Sequence, residues 1–177
     1  MHYFRAMNLD YTEHIPENFA QDSKVWVYQS NRVLTIPEAL EAEEMFKTFL
    51  GSWNAHGASV KGYVNLLFGQ FIIVMADETT TTVSGCSTDS SVRMIKELEH
   101  RFHIQLFNRQ LLAFVIKDKI QMLPLNQVEY AIENGFLSAE TLFFNNMVAT
   151  KKELLENWIV PISRSWLAQR LELSSER

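Results

Sequence analysis

Stretches in which apolar residues recur at the helical period alternate with short β-branched and aromatic runs along this chain, and the changes of period predict its elements. Lys24-Val25-Trp26-Val27-Tyr28-Gln29 gives way to the polar Ser30-Asn31-Arg32, a strand followed by a loop. Thr35 and Glu38 form a T-x-x-E capping box with Pro37 in the first turn, so a helix follows, its apolar side set by Ala39, Ala42, Phe46, Phe49 and Trp53. Glu41, Glu43 and Glu44 fall elsewhere on it. Gly51 weakens its last turn, and Trp53 to Gly57 reads as the loop that leaves it.

Tyr63 to Phe68 and Gln70 to Asp77 are apolar runs broken at Gly69, either two strands joined by a tight turn or one strand with a bulge. After the polar Glu78 to Thr82, the stripe Val92, Ile95, Leu98, Phe102 predicts a second helix from Asp89 to about His103. Leu111 to Lys117 and Lys119 to Leu123 read as a hairpin about Asp118. The order strand, helix, two strands, helix, strand predicts an α+β fold of the ferredoxin-like, split βαβ kind, with helices on one face of an antiparallel sheet.

The last third differs in character. Gln127 to Asn134 is a short helix closed by Gly135, and Thr141 to Phe144 is a brief apolar segment. Thr150 and Glu153 form a second capping box, opening a helix that reaches Trp158 and is stopped by Pro161. Ser163 to Leu171 reads as a final helix before a polar tail, Ser174 to Arg177. The expected organisation is an N-terminal extension at 1–23, an α+β core at 24–123, and an α-rich C-terminal extension at 124–177 packed on that core.

Composition narrows the function classes. A chain of 177 residues with 47% hydrophobic and 12% aromatic residues can bury a core, which argues against general disorder. The net charge of -5, with no basic cluster denser than Lys151-Lys152, argues against nucleic acid as a partner. One cysteine forms no internal disulfide, which suggests a reducing compartment. The first nineteen residues carry Asp10, Glu13 and Glu17 and lack a long apolar run, and Phe71 to Ala76 is far too short to span a bilayer. A cytoplasmic protein without a membrane partner is expected.

The candidate chemistry centres on Ser84-Gly85-Cys86-Ser87-Thr88-Asp89-Ser90-Ser91, which runs into the second helix. Backbone amides at a helix start are unpaired and carry the positive end of the dipole, so they favour a thiolate, carboxylate or phosphate. Ser84, Gly85, Cys86, Ser87 and Asp89 are the candidate ligand residues, capped by Thr88 or Asp89. Arg32 and Arg109, each after a sharp polar break, are candidates to pair with a carboxylate. The rival is a thiol enzyme with Cys86 as nucleophile, His56 or His100 as base, and Asp89 or Asp77 as orienter. The bland readings are a small buried cysteine beside a polar cap and an Asp77-Glu78 pair that marks where a strand meets water. Trp26, Tyr28, Trp53, Trp158 and Trp166 could stack a flat ligand, although aromatics at these periods more often fill cores. No zinc-like spacing exists, and no cofactor is implied.

These motifs carry a resemblance. Val25 to Arg32, Trp53-x-x-His56-Gly57, Asp77-Glu78, Ser84-Gly85-Cys86-Ser87-x-Asp89-x-Ser91, Leu106 to Arg109, Phe144-Asn145-Asn146 and Trp158-x-x-Pro161-x-x-x-x-Trp166 together resemble a family of small, functionally unassigned bacterial proteins often labelled "ABC transporter ATPase". The resemblance runs from about Lys24 to Trp166, with isoleucine more usual in the family at the position of Thr88. It implies membership and no catalytic residue. The label itself requires G-x-x-x-x-G-K-[ST] to wrap and hold phosphates. None of Gly51, Gly57, Gly62, Gly69, Gly85 and Gly135 is followed by lysine, so ATP hydrolysis is not expected. Val128 to Phe144 also resembles the small peptide-binding modules related to GYF domains, without their aromatic signature. The leading expectation is therefore a binding or regulatory protein with a small-anion or partner site at Ser84 to Ser91, and the alternative is a thiol-dependent enzyme.

Overall fold

The computed structural model describes residues 7–175, so the first six residues of the expected extension and the end of the polar tail lie outside the described residues. In chain order the elements are β1 (Lys24–Gln29), α1 (Ile36–Ser52), β2 (Asn54–Ala55), β3 (Ala58–Ser59), β4 (Lys61–Leu67), β5 (Phe71–Asp77), α2 (Gly85–Phe102), β6 (Leu111–Ile116), β7 (Lys119–Pro124), α3 (Val128–Glu133), β8 (Leu142–Phe144), α4 (Lys151–Asn157), β9 (Ile159–Pro161) and α5 (Ala168–Ser175). The protein is α+β, with antiparallel sheets.

The described residues divide into two units, 15–108 with 146–155, and 7–14 with 109–145 and 156–175. This differs from the expected boundary at 123/124: the β6–β7 hairpin belongs with the C-terminal residues. Those residues hold strands β8 and β9 beside the expected helices.

In the larger unit the sheet order is β1-β5-β4, with β5 antiparallel to both neighbours. Phe71 to Asp77 are all buried, which fits the central strand. The helices α1 and α2 contribute Ala42, Phe46, Met94, Ile95, Leu98 and Phe102 to a core shared with Tyr28, Val64, Ile72, Val74 and Ala76 of the sheet. Two strands do join at Gly69, where Phe68 (φ 54°) and Gly69 (φ 63°) take the positive φ of a mirror-image hairpin turn.

The expected fourth strand of this sheet, Leu111 to Lys117, is not beside β1. It pairs with β7 and β8 in a second sheet of order β7-β6-β8-β9. The outer edge of β1 is used by a segment much later in the chain: Val25 N–H donates to Ala149 C=O, Lys151 N–H donates to Ser23 C=O, and Lys24 bridges Thr150. Those bonds satisfy backbone groups that a fourth strand would otherwise pair.

Three local expectations are corrected. Trp53 to Gly57 is not a loop but runs into the β2–β3 hairpin, turning at His56 (φ 52°) and Gly57 (φ 79°). The second helix starts at Gly85 rather than Asp89, because Ser84 supplies the cap. The helix that Thr150 opens ends at Asn157, and Ile159–Pro161 is strand β9 paired with β8. In the smaller unit, Leu112, Phe114, Val128, Ala131, Leu137, Phe143, Ile162 and Leu167 form a separate core.

Candidate functional site

The first turn of α2 is built by two serines. Ser84 is the N-cap, with extended backbone (φ -100°, ψ 169°), and its Oγ accepts from Ser87 N–H at 3.1 Å. The Ser87 hydroxyl accepts in return from Ser84 N–H at 2.7 Å, a serine version of the reciprocal box that Ser/Thr and Glu usually make. The expected caps, Thr88 and Asp89, do not serve: the Thr88 hydroxyl donates to Ser84 C=O, and Asp89 is exposed farther along the helix. Ser87 is fully buried, and the indole N–H of Trp53 donates to its carbonyl at 2.8 Å, so α1's end holds α2's start.

Gly85 and Cys86 occupy the two positions after the cap, and both are exposed. Their amides have no acceptor within the helix. Ser90 Oγ donates to Cys86 C=O, and Ser91 Oγ donates to Thr88 C=O, so these hydroxyls are engaged along the helix itself.

Cys86 is a free, exposed thiol, which excludes the small buried residue of the bland reading. Among the described residues no histidine is hydrogen-bonded to it. His56 is exposed at the β2–β3 turn, and His100 is exposed near the far end of α2, more than three turns from Cys86. No hydrogen bond joins Cys86 to His56 or to an aspartate among the described residues.

Asp77 has a structural environment. It is 1% exposed at the end of β5. Its Oδ2 accepts from Lys61 Nζ at 2.8 Å and Ala20 N–H at 3.1 Å, and its Oδ1 accepts from Thr79 N–H at 3.0 Å. Burial pushes its pKa up, but the bonds from Lys61, Thr79 and Ala20 outweigh this and hold it well below the usual carboxylate range. A carboxyl held ionised by three donors is a poor proton shuttle at neutral pH. Glu78 accepts from Val83 N–H at 2.8 Å and pairs with Lys24, just ahead of the α2 cap.

The two candidate arginines fall in different units. Arg32 clamps Glu38 with two 2.8 Å bonds and donates to Phe102 C=O at 2.6 Å, pinning the start of α1 and the end of α2. Arg109 is exposed. Of the candidate stacking aromatics, Tyr28, Trp53 and Trp158 are buried, while Trp166, 44% exposed, lies edge-on to Phe143. No group of three or more metal-ligating side chains occurs among the described residues, and none of their helices is long and apolar enough to cross a membrane.

Lys151 is the residue that the sequence reading missed. Although 3% exposed, it donates to Phe19 C=O at 2.8 Å and Glu17 C=O at 3.1 Å, while Lys61 donates to Asn18 C=O. Two lysines and Asp77 thus clamp Glu17 to Ala20. The available signal was a lysine in the first turn of a capped helix, where the dipole disfavours a cation unless a specific contact compensates.

Comparison with protein-family models, curated proteins and solved structures found no match to this chain.

Proposed function

We propose that this is a non-catalytic binding or regulatory protein that takes a small anion, or an anionic group of a partner, at the first turn of α2. The observation that carries the reading is that Gly85 and Cys86, whose amides have no acceptor within the helix, are exposed residues on a turn already held in shape by the reciprocal Ser84–Ser87 bonds. Two charge-assisted hydrogen bonds and the helix dipole, less the entropy of association, support a dissociation constant on the order of millimolar.

The test is titration of labelled protein with inorganic phosphate, followed by the amide resonances of Gly85 and Cys86. Gly85→Pro supplies the control. Proline fits the first helical position, extended Ser84 suits the residue before it, and a Cβ at Gly85 meets nothing within 4 Å. The variant is expected to fold with equal or greater stability and to bind phosphate several-fold more weakly. Resonances that stay fixed to ~50 mM phosphate defeat the reading.

The thiol-enzyme reading keeps one supporting observation, the solvent exposure of Cys86 on the same turn. It needs a base that His56 would supply. Alkylation by iodoacetamide that slows in His56→Ala favours it, whereas an unchanged rate favours the binding reading.

The same proposal extends to the setting. We read the larger unit as a ferredoxin-like arrangement lacking its fourth strand, in a cytoplasmic member of the small bacterial family whose motifs the chain carries. The order β1-β5-β4 with two helices on one face supports the first part, and the single cysteine supports the second.

A further inference from the structure

The outward sides of α1 and α2 form an open groove with walls of unlike charge. Glu41 and Glu44 stand on the α1 wall, and Arg93, Lys96, His100 and Arg101 on the α2 wall, with Met45 between them. Within the protomer the basic wall is only partly matched. Arg101 pairs with Glu41, and Glu44 pairs with Lys47 of its own helix. Arg93 reaches only the Ser90 hydroxyl, and neither Lys96 nor His100 has an ion-pair partner among the described residues. Glu97 on the α2 wall lowers the positive charge of Arg93, Lys96 and Arg101 without cancelling it.

We propose that this face binds a second copy of the chain about a two-fold axis, α1 of each protomer lying on α2 of its partner. Two-fold symmetry demands a self-complementary surface, and an acidic wall beside a basic wall is one: each acidic-on-basic contact then occurs twice. In a chain of net charge -5, like-charged surfaces repel at long range, and this juxtaposition offsets that repulsion locally. Met45 and the partly buried Phe49 supply apolar area between the charged rows. Exposed ion pairs are weak individually, so the association is weak and sensitive to salt.

Sedimentation equilibrium on the full chain tests this. The expected result is a dimer at ~100 μM protein in low salt that weakens at least about tenfold at 0.5 M salt, as screening predicts. Two charge-reversed variants localise it: Glu44→Lys on α1, and Arg93→Glu with Lys96→Glu on α2. All three residues are exposed, and a thermal melt of each variant checks that it folds. Each variant alone is expected to be monomeric, and an equimolar mixture is expected to restore a dimer, because both contacts of the mixed pair are again of opposite sign. A monomeric native chain, a dimer indifferent to both variants, or a mixture that stays monomeric each overturns the proposal.

Discussion

The indole N–H of Trp53 and the carbonyl of Ser87 share a buried 2.8 Å hydrogen bond that ties the end of α1 to the first turn of α2. Gly62 completes this arrangement from the sheet, since a Cβ there would lie 2.6 Å from the Trp53 ring. Trp53→Phe removes this bond, to a carbonyl that the helix also engages, together with part of a buried ring, and is expected to cost about 1–3 kcal/mol. Gly62→Ala forces the same ring to shift in a packed core, at a cost of about 1–3 kcal/mol. Urea denaturation checks both, and a stability unchanged in both variants removes the coupling between the two helices.

Acid should loosen the start of α1. The Arg32 guanidinium, with help from the Thr35 amide, holds the Glu38 carboxyl down to about 2 from its ordinary 4.5. A carboxyl depressed in the folded state contributes its full stability above its unfolded value and loses it as pH falls through the folded one. Glu38→Gln should therefore be less stable than the native chain at pH 7, and the gap should close between pH 4.5 and about 2. Denaturation midpoints across that range decide it. A gap that persists undiminished at pH 2 contradicts the linkage.

The clamp on Glu17 to Ala20 depends on Asp77. Asp77→Asn keeps the shape but removes the charge opposite Lys61, and is expected to cost about 2–4 kcal/mol. Because the Asp77 pKa is lowered on folding, this contribution is present in full at neutral pH and is lost in acid below the ordinary carboxylate range. Limited proteolysis should cut within residues 15–22 faster in the variant. Cleavage at the native rate shows that the lysine contacts hold the segment alone.

Both threonine caps form. Thr35 Oγ1 accepts from Glu38 N–H while Glu38 returns a bond to Thr35 N–H. Thr150 Oγ1 accepts from Glu153 N–H at 3.2 Å, and Glu153 reaches back to Ala149 N–H at 2.7 Å. Thr→Ala at either position is expected to cost about 1 kcal/mol. Equal denaturation midpoints for native and variant chains count against a capping role at that position.

What the sequence determined by itself is local. Thr35 and Thr150 as caps, Gly135 in its left-handed turn (φ 74°) and the hairpin about Asp118 were legible because each depends on residues within a few positions, through hydrogen bonds and φ preferences that the chain carries anywhere. The exposed turn at Gly85-Cys86 was legible on the same ground, although Ser84 rather than Thr88 or Asp89 caps it. Tertiary structure decided the partners. An apolar strand such as Leu111–Ile116 can pair with any open sheet edge, and its own pattern carries no preference for β1 over β8; Ala149 to Lys151 settles the matter by using the β1 edge. The same holds for side chains. Nothing near Lys151 in sequence announces that the Glu17 and Phe19 carbonyls will take its ammonium out of water, and nothing near Cys86 or His56 tells that folding leaves them without a hydrogen bond between them. Periodicity and capping chemistry are properties of neighbours, whereas charge pairing and strand order depend on which distant segments the cores bring together.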